Sequence, residues 1–266
     1  MWTIIPLKLG VTTVWRGGFV MQQGLAASER FEVPHVAWLL KEDGGSRRIL
    51  VDAGISGNLE ESSVRHNPVR RDPDMYLLPA LAQYGVKPEE IEMVILTHLH
   101  WDHAKGVLEL PNTIPVLVQR TELYYAVSPC PPDAKHYETN VKEDIPYFLK
   151  YFHQLRLLDG EQKITDGISV VMLPGHSPGS QGVVVDTAEG SFVITGDLIN
   201  CVENWERRIP AGICNSLTDY YESFRRLEKL EAEGAKILPS HDFVVFDWFQ
   251  TVESEKIGTG GKKDDV

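Results

Sequence analysis

The run Thr97-His98-Leu99-His100-Trp101-Asp102-His103 places three imidazoles and one carboxylate within six consecutive positions. Histidine is the commonest metal ligand, and imidazoles crowded this closely repel one another when protonated. The cluster directly follows the apolar run Ile91-Glu92-Met93-Val94-Ile95-Leu96, which is bounded upstream by Pro88. That run predicts a buried strand, so the ligand-type residues sit where a strand gives way to a loop. An exposed loop that is rich in histidine by chance does not account for His-x-His-x-Asp-His at a strand end. We read the stretch as a metal site.

Other strand ends carry the same chemistry more sparsely. His176 lies in the Gly/Pro-shaped turn Leu173-Pro174-Gly175-His176-Ser177-Pro178-Gly179, Asp197 in Thr195-Gly196-Asp197, and His241 in Pro239-Ser240-His241-Asp242. Asp52, in Val51-Asp52-Ala53-Gly54, also follows an apolar run. Singly, such residues are more often satisfied turn residues than ligands. A nearby cluster that still needs ligands changes that balance. The candidate set is His98, His100, Asp102, His103, His176, Asp197 and His241, all nitrogen or oxygen donors with no thiolate. Such donors suit zinc, iron, manganese or cobalt.

Strands and short loops must position these residues. Val36-Ala37-Trp38-Leu39-Leu40 and Arg48-Ile49-Leu50-Val51-Asp52 flank the turn signal Asp43-Gly44-Gly45 and predict a β-hairpin. Residues 1–35 predict a strand followed by a loop, and residues 55–73 a polar loop of low order. Met75 to Tyr84 carries apolar residues at helical spacing, with Gly85 as the stop. Pro115 to Gln119 predicts a short strand and Thr121-Glu122-Leu123 the start of a helix, broken by Ser128 to Asp133. Residues 124–153 are rich in aromatics, which we assign to core packing rather than to covering a site. Ile168–Leu173, Gly182–Asp186 and Ser191–Thr195 are strands rich in β-branched residues. Leu217 to Ala232 is helical, with Ser216 or Thr218 as cap and Gly234 as stop, and Ile237-Leu238-Pro239 is a last strand. Residues 256–266 predict a disordered tail behind a single domain spanning 1–255. The pattern is an α/β arrangement of stacked layers.

Composition narrows the partners. Of 266 residues, 42% are hydrophobic and 24% charged, as in ordinary globular proteins. A formal net charge of −12 without a Lys/Arg-rich block argues against nucleic acid, which demands a basic stripe. Cys130, Cys201 and Cys214 include no Cys-x-x-Cys pair and read as free thiols in a reducing compartment. No apolar run approaches the ~20 residues of a membrane span. The start, Met1 to Lys8, lacks the features of a signal peptide. The expected location is cytoplasmic, with no membrane partner, and a homodimer is compatible with this reading.

Thr97-His98-x-His100-x-Asp102-His103, followed in order by Gly175-His176-Ser177, Gly196-Asp197 and Ser240-His241, resembles the metallo-β-lactamase superfamily over roughly residues 36–242. The resemblance implies a four-layer αβ/βα sandwich with two divalent metal ions at the sheet edges, zinc foremost. Within that superfamily the chain is most similar to the N-acyl-homoserine lactonase branch. The likeness rests on Val118-Gln119-Arg120-Thr121-Glu122, Pro174 to Gly179, and the stretch from Asp197 through Pro210-Ala211-Gly212 to Arg226-Leu227. It implies that His98, His100 and His176 hold one ion and Asp102, His103 and His241 the other. Asp197 would bridge them, and Asp52 would back a ligating histidine.

The function this implies is the opening of a lactone ring, with an N-acyl-homoserine lactone as the small-molecule substrate. A metal-bridging hydroxide attacks the carbonyl, and Asp102 carries the proton to the departing alkoxide. The branch commonly has a tyrosine three residues after the bridging aspartate; here Asn200 stands there, with a shorter reach to the substrate carbonyl. Phe19, Met21, Trp205 and Phe243 are candidates for an acyl-chain groove, and Trp101 lies inside the metal motif. The alternatives are a lactonase for another small lactone and a thioester hydrolase of the glyoxalase II type. The latter usually carries a C-terminal helical domain, and only 25 residues follow His241. A non-enzymatic metal-binding protein is the reading from a different class.

Overall fold

Alternating burial along β1 (Trp2–Trp15) puts Trp2 and Ile4 on one face and opens a seven-stranded sheet. The computed structural model describes residues 1–22, 24–57, 65–142 and 144–249. After the short helix α1 (Arg16–Phe19), β2 (Arg30–Glu42) returns antiparallel to β1 over almost its whole length. The predicted hairpin then brings in β3 (Arg48–Val51), and β4 (Val69–Arg70) pairs with β1 on the outer side. The rest of the sheet is parallel: β5 (Met93–Ile95), β6 (Val116–Gln119) and β7 (Leu155–Leu158). Its crossovers contain α2 (Leu77–Gln83), α3 (Trp101–Ala104), α4 (Arg120–Val127) and α5 (Tyr147–Lys150). The spatial order is β4-β1-β2-β3-β5-β6-β7.

The second sheet has five strands: β8 (Gln162–Thr165), β9 (Ile168–Met172), β10 (Gln181–Thr187), β11 (Gly190–Ile194) and β12 (Lys236–Leu238). Helices α6 (Val202–Arg207) and α7 (Leu217–Ala232) connect β11 to β12, which pair in parallel. Helix α7 starts at the predicted cap, where Ser216 Oγ accepts from Asp219 N at 3.3 Å. Its buried Tyr220, Ser223, Phe224 and Leu227 recur at helical spacing.

Period-two alternation divides the core into layers. Leu39, Leu50 and Val94 face α2 and α5, where Leu77, Leu81 and Phe148 meet them. Trp38, Ile49 and Ile95 face the other way, against Val183 and Ile194 of the second sheet. Leu173 and Val193 pack on Phe224 and Leu227 of α7. Three apolar interfaces between helix, sheet, sheet and helix make the αβ/βα sandwich that the resemblance implied.

Several local expectations are corrected. Residues 1–35 hold the long β1 and the start of β2 rather than one strand and a loop, because β1 finds its pairing partner in β2 from Trp2 to Trp15. Strands β7 and β8 escape pattern reading: the first is leucine-rich rather than β-branched, and the second is a polar edge strand. Helix α6 buries only Asn204, so it has no apolar stripe to find. In the expected loop at 55–73, Val69 and Arg70 pair with β1, while 58–64 lie outside the described residues. The tail assigned to 256–266 also lies outside them. Tyr137, Tyr147, Phe148 and Tyr151 are core residues as expected, whereas Tyr124 and Phe152 are exposed. No helix among the described residues is long and apolar enough to cross a membrane.

Candidate metal centre

At the end of β3 the backbone of Asp52 turns into the left-handed region, with φ of 58°, and aims its carboxylate at the end of β5. Thr97 N donates to Asp52 Oδ1 at 2.8 Å, and Thr97 Oγ1 donates to Oδ2 at 2.9 Å. Since the hydroxyl has one proton, Thr97 Oγ1 accepts from His98 Nδ1, 3.1 Å away. His103 Nδ1 donates to Asp52 Oδ2 at 2.8 Å. His176 Nδ1 donates to the Ile213 carbonyl and His241 Nδ1 to that of Pro34, both at 2.9 Å. Each of these four rings therefore presents Nε2 as a lone pair to the interior, in tautomers assigned from the hydrogen-bond network. His100 faces inward with Nδ1, 2.9 Å from His176 Nε2.

These atoms converge on Asp197. Its Oδ1 lies 3.0 Å from His103 Nε2 and 3.1 Å from His241 Nε2. Its Oδ2 lies 3.5 Å from His176 Nε2 and 4.0 Å from His98 Nε2. Asp102 Oδ2 adds to the first side, 3.7 Å from His241 Nε2 and 3.9 Å from His103 Nε2. Donor atoms of His98, His100, His176 and Asp197 lie within 4.8 Å of one another, as do those of His103, Asp197 and His241. The Nε2 atoms of His98, His103 and His241 are buried without an aligned hydrogen-bond partner. Orphaned buried lone pairs are costly, and a cation between them removes the cost. The donor set fits two ions that share one aspartate.

Electrostatics agree with the geometry. Burial, reinforced by neighbouring histidines, holds His98 and His100 well below the usual imidazole range, in the neutral form that ligates. Burial also opposes charge on Asp197, but His103 and His241 outweigh it and hold that carboxyl well below its usual range. At His103 and His241 burial is overcome by Asp197 and Asp102, joined at His103 by Asp52, and both pKa values rise. Those protons stand where divalent cations neutralise the same carboxylates.

The turn carrying His176 closes on backbone. Gly175 has φ of 140°, and a Cβ there would lie 2.6 Å from Tyr220 Cα; one at Gly179 would lie 2.2 Å from Glu122 N. Buried Glu122 fastens this turn to the first motif, accepting from Leu99 N at 2.9 Å, Ser177 Oγ at 2.6 Å, Gly179 N at 3.2 Å and Tyr137 OH at 2.9 Å. Burial nonetheless pushes its carboxyl upward. Opposite, Ser240 Oγ donates to Asp197 Oδ1 at 2.8 Å, and Tyr220 OH donates to the Leu198 carbonyl at 2.6 Å.

Of the candidate ligands, His100, Asp102, His176 and Asp197 border a cavity of about 310 Å³ whose apolar wall is Val14, Phe19, Trp101 and Ile213. Phe19 and Trp101 thus reach the site, and the other proposed wall residues do not line it. Trp205 packs against Phe224 and under Arg208, and Phe243 borders a separate groove with Phe246. Met21 is tied by its backbone to the Pro210 carbonyl. Asn200 is buried beside the site without lining the cavity, its amide nitrogen 3.4 Å from the Phe19 carbonyl. Pattern reading missed His35, His66 and His136, which do line it. His35 Nδ1 stands 3.4 Å from Asp102 Oδ2, and burial lowers its pKa. A histidine inside the apolar run of β2 was the available signal. His136 is held at a pKa of about 4 by burial first, then by Lys135 and His176.

A sandwich of two mixed sheets with paired donor clusters at their edges defines a class of protein. Residues 30–241 match the Metallo-beta-lactamase superfamily, and the chain belongs to it. Within that superfamily it stands with the N-acyl homoserine lactonases. One from a Bacillus sp is 30% identical over 219 residues, covering 77% of this chain and 80% of that protein. N-acyl homoserine lactonase AiiA from Bacillus thuringiensis subsp. kurstaki is 29% identical over 236 residues, 84% of this chain and 86% of the relative. Among solved structures, an N-acyl homoserine lactone hydrolase with the product N-hexanoyl-L-homoserine at its catalytic metal centre superposes with a TM-score of 0.76. It is 21% identical and covers 92% of this chain and 95% of that one. The dizinc quorum-quenching lactonase AidC superposes at 0.68 with 18% identity, over 90% and 87% of the two chains. At these identities the structural likeness is one of fold.

Proposed function

We propose that the protein is a dinuclear metal-dependent lactonase that opens the ring of N-acyl-homoserine lactones. The observation that carries this reading is Asp197, which turns one carboxylate oxygen to each of two histidine groups at the floor of a cavity. His98, His100 and His176 would hold one ion, Asp102, His103 and His241 the other, with Asp197 available to both. When bound, two zinc ions supply Lewis acidity and a nucleophile at neutral pH. Iron, manganese and cobalt suit the same donors.

The chain's own residues supply the rest. Asp102 is the ligand carboxylate most open to the cavity, with 14% of its side chain exposed. His103, His35 and His241 overcome the effect of burial and keep it ionised, so it enters the reaction as a carboxylate and accepts the proton that the attacking water gives up. It returns that proton to the ring oxygen as the acyl carbon–oxygen bond breaks, leaving a carboxylate and a hydroxyl. Val14, Phe19, Trp101 and Ile213 receive the acyl chain. Because ligands come from both sheets, residues 1–255 act as a single domain. The free thiols Cys130, Cys201 and Cys214 fit a reducing cytoplasm.

Metal analysis paired with acid release from N-hexanoyl-homoserine lactone tests the reading. Two ions per chain and rapid ring opening are expected, with activity lost to a chelator and restored by zinc. Turnover of thioesters with no lactone opened would overturn it.

A further inference from the structure

Most polar side chains around the cavity are already engaged. Thr12 Oγ1 and His35 Nε2 share a hydrogen bond of 2.7 Å. Arg65 and His66 reach Glu138 at 2.8 and 3.0 Å, and the His66 ring lies flat on Trp101, centroids 3.9 Å apart. His100, Asp102, His176 and Asp197 face the metal groups. Among the described residues that line the cavity, what remains is Asn67, Lys135 and His136. The first two are exposed, whereas His136 lies against the floor with its ring centroid 4.9 Å from that of His100.

His136 combines a fixed position with unused hydrogen-bonding capacity. Its carbonyl accepts from Trp101 N at 3.0 Å, and its own N donates to the Asp133 carbonyl at 2.8 Å. The next residue, Tyr137, is fully buried; its hydroxyl is bonded to Glu122 and its ring stands edge-on to His100 at 4.7 Å. Neither ring nitrogen of His136 has a hydrogen-bond partner among the described residues, and the ring is outside the converging donor groups. Asn200, by contrast, turns its amide to a backbone carbonyl. Even a neutral imidazole retains one N–H to donate.

We infer that His136 is a catalytic residue, donating a hydrogen bond to the lactone carbonyl oxygen as it gains charge beside the His98, His100 and His176 group. A donor fixed in advance needs no reorganisation at that moment, and it acts without giving up its proton. The inference rests on the lactonase reading.

Kinetics of the zinc-loaded enzyme on N-hexanoyl-homoserine lactone test it. His136→Ala should lower kcat/KM by roughly 10²-fold, chiefly through kcat, with two ions per chain retained. His136→Gln, which restores an N–H, should recover part of the rate. His136→Phe keeps a ring of similar bulk without the donor, so a folding defect in the alanine form leaves the question answerable. A full-rate, metal-replete His136→Phe would overturn the inference, as would a rise in KM alone. Rate lost only in proportion to metal would instead make His136 a packing support for His100. A wild type inert towards lactones sinks both readings, whereas an active one indifferent to these substitutions sinks only this one.

Discussion

On the floor of the cavity each inward-facing Nε2 belongs to a ring whose other nitrogen is already held. Asp52 stands behind His103, Thr97 behind His98, and the Ile213 and Pro34 carbonyls behind His176 and His241. The adjoining wall, built from residues 65–67 and 133–138, is held through Glu138 and through the His136 carbonyl, which accepts from Trp101 N, but leaves the His136 ring uncommitted. A ligand must have its lone pair aimed before the ion arrives, so both ends of the ring are fixed. A residue that meets substrate needs a fixed backbone and an unused donor. The two sides also differ in how they hold a buried carboxylate. Glu122, on the floor, accepts only from neutral groups, and burial pushes its pKa upward. Glu138, behind the wall, has φ of 53° and receives Lys105 at 2.9 Å together with Arg65 and His66. Burial opposes its charge, but His66 and Lys105 outweigh it and bring its pKa down to about 2.

The largest expected effect comes from breaking the floor where its two halves meet. Asp197→Asn should lower lactone hydrolysis by about 10³-fold or more, since it weakens both sites at once. Metal analysis should show fewer than two ions per chain, and full occupancy with full rate would refute the shared role. Asp52→Ala touches no cavity surface but frees the His103 ring, and should weaken metal affinity by about 10–100-fold in chelator competition. An unchanged affinity would mean that the floor does not need its outer partners.

Smaller effects sharpen the contrast between the two carboxylates. Glu138→Gln should destabilise the metal-free protein at pH 7 by on the order of 3 kcal/mol, measured by urea unfolding. Because its folded pKa lies below the unfolded value of 4.5, that contribution is present above pH 4.5 and fades towards pH 2. Glu122→Gln should cost less, about 1–2 kcal/mol: the amide oxygen still accepts from one pair of neutral donors, while the amide nitrogen meets Leu99 N or Gly179 N and leaves that donor unpaired. Its pH dependence has the opposite sign. A carboxyl whose folded pKa is raised favours the protonated folded state, so wild-type stability gains as pH falls through the window above 4.5. Equal slopes for the two variants would remove the distinction.

Local chemistry made the candidate ligands legible. His98, His100, Asp102 and His103 share one strand end, and a strand followed by a tight loop leaves such neighbours little freedom to part. Gly175 and Gly179 announced a turn around His176, and Ser216 announced the start of α7, for reasons contained within a few residues. The cavity wall had no such signature. His35, His66 and His136 come from three distant segments, and only the pairing of β1 with β2 and the clamp on Glu138 bring them to one cavity. Asn200 shows the converse: its place three residues after Asp197 follows from sequence, but its side chain does not. The His241 amide bonds to the Asn200 carbonyl at 2.8 Å, fixing that loop so that the amide group meets Phe19. Spacing along the chain therefore determined which residues gather in the candidate metal centre. Which residues line the cavity beside it was decided by long-range closure, because a side chain's direction depends on partners its own neighbours cannot supply.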